Sequence, residues 1–318
     1  MMSTERLVIA LGGNAIKQAN ERGTTEEQFR NVDVTARQIA RVVRAGYRVV
    51  ITHGNGPQAG ALLIQQEEAD AHVPGQTLAT CGAMTQGQIG WMMQNRLAYH
   101  LAQEGVGAPV CTVVTQVVVS EEDPDFQDPS KPVGPFYTPQ EAQRLAREKG
   151  CIVKEVKPGV PRSWRRVVPS PEPLDIVESS AINALIDAGV IVIASGGGGI
   201  PVKRNGDRSL SGVEAVIDKD RAGFKLAQAV SAERFMILTD VEQVYLNFNK
   251  PQQQALERLT VQEAERYLAE GHFLAGSMGP KIEAAVRFTR WSGRQAVITS
   301  LDRALAAIEG RAGTHILP

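Results

Sequence analysis

Three short apolar runs in this chain end directly in glycine. Residues 7–11 run into Gly12-Gly13-Asn14, and residues 48–52 run into His53-Gly54-Asn55-Gly56. Residues 190–194 run into Ser195 followed by Gly196, Gly197, Gly198 and Gly199. Each run reads as a buried strand, and helical patterns lie between them. Strand–turn–helix units repeated in this way require a parallel sheet covered on both faces. The glycines add a second constraint. Lacking a Cβ, they let a ligand approach the backbone, and a helix start after such a turn offers free N–H groups to an anion. Three such turns predict a surface that holds several negatively charged groups together.

The helices can be placed. Thr24 and Glu27 have capping-box spacing and open a helix whose apolar face is Phe29, Val32, Ala36, Ile39 and Val43. Gly46 ends it, and helices are predicted over 58–68 and about 83–103. Residues 109–119, rich in valine and threonine, read as one strand. The rhythm then breaks. Prolines at 124, 129, 132, 135 and 139 are too many for a helix or a central strand. Short β-like pieces follow at about 151–156 and 165–168, so 120–173 reads as an insertion or protruding subdomain. Alternation resumes with a helix at 180–188, a hairpin at Asn205-Gly206 and a helix at 219–230. A strand at 234–239, helices at 261–270 and 280–291, and strands at 295–299 and 314–317 complete the pattern.

Composition narrows the function. With 318 residues and 43% hydrophobic content, the chain can bury a large core, as one α/β domain or two lobes. It has 34 basic and 35 acidic residues, a balance that favours no nucleic-acid partner. No stretch approaches the roughly 18 apolar residues of a membrane span, and the start, Met1 to Arg6, is a short polar leader without a signal-peptide core. Cys81, Cys111 and Cys151 are isolated, and the five histidines show no zinc-ligand spacing. These features predict a soluble cytoplasmic protein.

Two nucleotide motifs fail on context. Residues 54–59 match G-x-G-x-x-A, but the region 73–80 carries neither the second strand nor its acid, so a dinucleotide fold is disfavoured. The P-loop pattern is absent. The lysines carry more information, because only ten of the basic residues are lysine. Lys131 lies in the proline-rich insertion, Lys219 sits between Asp218 and Asp220, and Lys281 stands at a helix start. A lysine is a mobile point charge that can follow a phosphoryl group, and phosphoryl transfer depends on positioning and charge neutralisation. A loop lysine is ordinarily only solvated, and two acids at a helix start ordinarily answer its dipole. Lys17, Lys203 and Lys225 have no special setting, His53 reads as a hydrogen-bonded strand end, and Cys81 reads as packing.

In combination, these segments resemble the carbamate kinases. The resemblance rests on LGGNA at 11–15, THGNGPQ at 52–58, CGAMTQG at 81–87, DPSKPVGPFY at 128–137 and RRVVPSP at 165–171. It continues through SGGGGIPV at 195–202, GVEAVIDKD at 212–220, ILTDV at 237–241 and GSMGPKIEA at 276–284, and so covers nearly the whole chain. It implies the amino acid kinase fold: an α/β, three-layer αβα sandwich on a largely parallel open sheet with a small protruding subdomain. One domain would span 1–318, with a carbamate or carbamoyl-phosphate half at about 1–190 containing the subdomain at about 120–173. A nucleotide half would follow at about 191–318. The implied reaction is reversible phosphoryl transfer between ATP and carbamate, with Mg²⁺ held mainly by phosphate oxygens, in a homodimer that runs toward ATP synthesis in catabolism.

The resemblance also implies residue roles. Lys219 and Lys281 would contact the transferring phosphoryl group, Asp218 would hold those two lysines, and Lys131 would reach in from the subdomain. Gly12, Gly13, Asn14, Gly54, Asn55 and Gly56 would bind carbamoyl phosphate. Ser195, Gly196, Gly197, Gly198, Asp240, Tyr245 and Met278 would border ATP or ADP. Ala10-Leu11 stands where many amino acid kinases carry a lysine, which disfavours acetylglutamate or aspartate kinase activity. Residues 73–80 and 159–164 depart from the family pattern. They leave open a relative acting on another small carboxylate, or a non-catalytic nucleotide sensor.

Overall fold

Side chains along a strand point alternately to opposite faces of its sheet, and in Arg6–Leu11 both faces are apolar and buried. Leu7, Ile9 and Leu11 join one hydrophobic cluster, with Val32, Ile39, Ile89 and Met93 from the helices Thr25–Arg44 and Leu78–Gln103. Val8 and Ala10 join a second, with Ile182, Phe224, Leu226, Ile282 and Phe288 from the helices Ser179–Asp187, Lys219–Ala229 and Met278–Ser292. A sheet with apolar side chains on both faces must be covered on both, and the result is a three-layer αβα sandwich. The structure is a computed structural model that describes residues 5–18, 20–273 and 277–318. The polar leader at 1–4 and Gly276 of the GSMGPK motif lie outside the described residues.

The central sheet has eight strands in the order Arg258–Thr260, Thr314–Leu317, Ala296–Ser300, Arg234–Thr239, Arg6–Leu11, Arg48–His53, Ile191–Ile193, Val110–Thr112. All neighbours run parallel except Ala296–Ser300 and Thr314–Leu317. The strand order reverses direction at Arg6–Leu11, whose register pairs Leu11 with His53 on one side and with Leu238 on the other. Crevices outside the carboxyl ends of parallel strands open at such switch points. The predicted capping box forms at Thr25–Arg44: Glu27 N–H donates to Thr24 Oγ1, and Thr24 N–H donates to Glu27 Oε2.

One predicted strand divides. Residues 109–119 form Val110–Thr112 at the edge of the central sheet and Gln116–Val118 in a second, four-stranded sheet. Gln86 makes the break possible. Its side chain accepts from Thr115 N–H at 2.8 Å and donates to Thr115 O at 3.1 Å, giving this buried backbone partners outside a continuous ladder.

Within 120–173 a three-stranded antiparallel sheet forms, ordered Lys131–Tyr137, Trp164–Val168, Val153–Glu155, with the helix Pro139–Lys149. Pro132 and Pro135 lie in Lys131–Tyr137, which is an edge strand and needs fewer donors, while Pro124 opens a single helical turn and Pro139 is the first residue of its helix. Its register breaks between Val133 and Tyr137, around Gly134 at φ 69. This layer packs through Val133 and Val168 on Leu63 of the helix Gly56–Ala69 and Leu78 at the start of Leu78–Gln103, and Tyr137 Oη donates to Glu67.

Candidate active site

The glycine turns meet where the switch point puts them. Gly12 N–H donates to Leu238 O at 2.9 Å, joining the ends of Arg6–Leu11 and Arg234–Thr239. A Cβ on Gly54 would lie 3.1 Å from Lys219 Cδ and 3.5 Å from Gly13 N, so two turns and a lysine converge on one spot. A cleft of about 340 Å³ opens there. Its wall includes Gly13, Gly54, Asn55, Gly56 and Gly197, together with Lys131, Arg165, Lys219, Lys281, Asp218 and Asp220. The lining holds four cations and two carboxylates, an excess of positive charge suited to phosphate.

Each lysine is placed by a different element. Lys131 begins the edge strand of the three-stranded layer, and its Nζ lies 3.0 Å from Asp218 Oδ2. Lys219 is the first residue of its helix, and Lys281 lies in the first turn of Met278–Ser292. The resemblance implied that Asp218 would hold Lys219 and Lys281, and here the structure corrects the expectation. Asp220 bridges those two lysines, 2.6 Å from Lys219 Nζ through Oδ1 and 3.4 Å from Lys281 Nζ through Oδ2. Asp218 instead caps the helix Lys219–Ala229 by accepting from Asp220 N–H at 2.9 Å, and holds Lys131. The cap geometry explains the exchange: a capping side chain turns back toward the helix end, while the residue two positions on points into the first turn.

The charges are tuned by these contacts. Burial pushes the Asp218 carboxyl up. The Lys131 ammonium, the Asp220 N–H and Lys219 outweigh it and hold the carboxyl at about 2. Burial, and then the neighbouring Lys219 charge, push Lys281 below the ordinary lysine value, with Asp220 opposing. His53 is fully buried, and burial lowers it to about 4 against the opposing contact of Nδ1 with Gly54 O at 3.0 Å. It is a neutral, packed residue at neutral pH.

A second cavity, of about 200 Å³, is lined by Thr239, Asp240, Val241, Tyr245, Phe248, His272, Phe273, Ser277 and Met278. The Tyr245 and Phe248 rings lie 5.8 Å apart on its wall. Asn14 Nδ2 donates to Asp240 Oδ2 at 2.5 Å and ties this cavity to the turn after the first strand. Asp240, Tyr245 and Met278 therefore come together, as do Gly13, Gly54, Asn55 and Gly56 in the larger cleft. Gly12 and Asn14 flank Gly13 in the chain and are not among the residues that line the cleft.

The four-glycine run behaves differently. Ser195, Gly196 and Gly198 are buried and line neither cavity, and Gly197 lines the larger cleft rather than the aromatic one. A Cβ on Gly196 would fall on the His53 ring, on Gly197 inside the Asn55 side chain, and on Gly198 against Ile217 O. Gly197, Gly198 and Gly199 also have positive φ. The run is glycine because the strand ends around it approach too closely for side chains.

Residues 5–300 match the model of the amino acid kinase family. The chain is 55% identical to the carbamate kinase of Thermococcus kodakarensis over 98% of this chain and 99% of that protein. It is 52% identical to the carbamate kinase of Pyrococcus furiosus, covering 99% of each. The chain belongs to the carbamate kinases, within the amino acid kinase family. Its fold superposes on the family's carbamate kinase from Giardia lamblia bound to AMP-PNP with a TM-score of 0.93, at 45% identity over 100% of this chain and 99% of that one. Two site residues of this family member escaped the sequence reading. Along the sequence Asp220 is simply one of two acids beside Lys219, and Arg165 simply the first residue of RRVVPSP. The signal for Asp220 was its position at N2, two residues beyond a capping aspartate.

Proposed function

We propose that this protein transfers a phosphoryl group reversibly between ATP and carbamate, yielding ADP and carbamoyl phosphate. The observation that carries the reading is a cleft rich in cations with nothing poised to take up a proton. Asp218 is held at about 2 by Lys131, Asp220 is enclosed by two lysines, and His53 is buried away from the lining. A hydroxyl acceptor would need a base there. Carbamate is already an anion and needs none.

The balance of the step agrees. One carbamate oxygen bonds to the γ-phosphorus while the bond from that phosphorus to the β–γ bridging oxygen breaks. The electron pair leaves with ADP, and no proton moves. Lys219 and Lys281, separated by Asp220, neutralise the oxygens of the travelling group, and Lys131 approaches from the three-stranded layer. The N–H groups at Gly13 and Gly54–Gly56 orient the acceptor. The aromatic cavity at Asp240, Tyr245 and Met278 takes the nucleoside, and the turn at Ser195–Gly198 supports the wall between them. In this division residues 1–190 serve the acceptor and 191–318 the nucleotide.

Among the described residues no group of three or more metal-binding side chains forms, and both cleft carboxylates already face ammonium groups. These residues fit Mg²⁺ carried on nucleotide phosphates and water rather than in a protein cage. Bound there, the ion would neutralise phosphate charge. The reading extends to a cytoplasmic homodimer working toward ATP synthesis in catabolism, with no nucleic-acid or membrane partner. Among the described residues, no helix is long and apolar enough to cross a membrane.

The test is coupled ATP formation from ADP and carbamoyl phosphate with Mg²⁺. Turnover is expected, and a pure, folded sample without it would sink the reading. An acceptor panel run with ATP would expose a preference for another small carboxylate.

A further inference from the structure

Arg165 stands apart from the other cations of the cleft. Lys131, Lys219 and Lys281 each face a carboxylate, whereas Arg165 forms no ion pair among the described residues. Its guanidinium makes one hydrogen bond, from Nη2 to Gly134 O at 2.7 Å, and lies 5.1 Å from the centre of the Phe136 ring. Nε is buried and has no acceptor. Burial pushes its pKa down, although a guanidinium stays charged at any physiological pH.

A desolvated cationic donor without a partner is unfavourable, so this arrangement is one that a bound anion completes. The residue sits on the central strand of its layer, Trp164–Val168, and lines the cleft beside Val133 and Leu63. A carbonyl and an aromatic face hold its plane. A fixed planar fork matches carboxylate and phosphate alike, but three lysines, as mobile point charges, already serve the phosphoryl group, which leaves the planar end of the acceptor to this residue.

We propose that Arg165 is the specificity-determining residue for the acceptor, donating to the carbamate oxygen that does not attack phosphorus. In the reverse direction it meets the same oxygen as the carbonyl of carbamoyl phosphate. The proposal rests on the carbamate reading above. It assigns the recognition of a planar carboxylate to the three-stranded layer, leaving the lysines to the phosphoryl group.

The test compares wild type, R165M and R165K in the ATP-forming assay, with thermal melts. In R165M the KM for carbamoyl phosphate should rise about 10- to 100-fold, the span of a charge-assisted hydrogen bond. The KM for ADP should stay within about twofold, and the melting temperature should not fall. R165K keeps the charge without the fork and should lie between. Carbamoyl phosphate should also raise the melting temperature of wild type more than that of R165M. An unchanged carbamoyl-phosphate KM would overturn the inference. So would equal rises in both KM values with a lowered melting temperature, which would make Arg165 a prop for Gly134. Wild type that neither turns over nor is stabilised by carbamoyl phosphate would overturn the functional reading and this inference together.

Discussion

Replacing Asp220 by asparagine should separate the electrostatics of this site from its packing. Asp220 is 3% exposed, and the lysines it bridges are 21% and 12% exposed. Water from the cleft therefore compensates only in part for the missing charge. Removing one partner from a buried ion pair costs about 3–5 kcal/mol, and asparagine keeps one oxygen acceptor, so about 3 kcal/mol is expected. For a chain of this length that is roughly 4–5 °C in melting temperature.

The loss should depend on pH in a defined direction. In wild type, Lys281 already lies below its ordinary value through burial and Lys219, with Asp220 opposing. Without the carboxylate it falls further, while the unfolded chain keeps the ordinary lysine value. Between the two values the unfolded state binds more protons, so stability rises with pH there. The deficit of D220N should shrink from pH 7 toward pH 10, and turnover should fall on the order of 100-fold as the lysine tips shift. Urea unfolding of both proteins at several pH values gives the answer. Unchanged stability, or a deficit constant across that range, would refute the argument.

Three further outcomes follow from the same contacts. K131M should raise the Asp218 carboxyl from about 2 toward and beyond 3.8, since burial then acts with less opposition. The contacts that depress Asp218, Lys131 foremost, together contribute about 2 kcal/mol above pH 4, lost as pH falls through 2, so the variant, which loses part of this, should unfold at higher pH in an acid titration. G197A places a methyl inside the Asn55 side chain at φ 68 and should cost about 2–4 kcal/mol in urea unfolding. Y245A should raise the KM for ADP about tenfold or more, by loss of base stacking, with little change for carbamoyl phosphate; equal changes for both substrates would contradict the assignment of that cavity.

Much of this architecture is legible along the chain, for a physical reason. Parallel strands buried on both faces are continuous apolar runs, and their ends are marked by glycine because ligand or neighbouring backbone comes close. Arg6–Leu11, Arg48–His53 and Ile191–Ile193 announce themselves in that way. What sequence hides is direction in space. Nothing in residues 109–119 shows that Gln86 will bracket Thr115 and send the chain to a second sheet. Asp218 and Asp220 are two residues apart and chemically identical, and only the helix start decides which of them reaches Lys281. The glycines at 196–199 read as an anion loop, and only the fold shows that His53, Asn55, Ile217 and Val117 occupy the space where their four side chains would be.

The strand order has a consequence for the chain's own synthesis. Arg6–Leu11 leaves the ribosome before either of its neighbours in the sheet, and its partner on one side, Arg48–His53, follows soon after. Its other partner, Arg234–Thr239, emerges on the order of ten seconds or more later at ordinary elongation rates. Until then one edge of the strand that will lie at the middle of the sheet stays open, flanked by some of the most apolar sequence in the protein. An open edge of this kind invites wrong pairing. The nascent chain should therefore be most prone to aggregate, and most dependent on chaperones, before residue 239 is available, and truncations ending short of it should be insoluble even though they contain all three glycine turns.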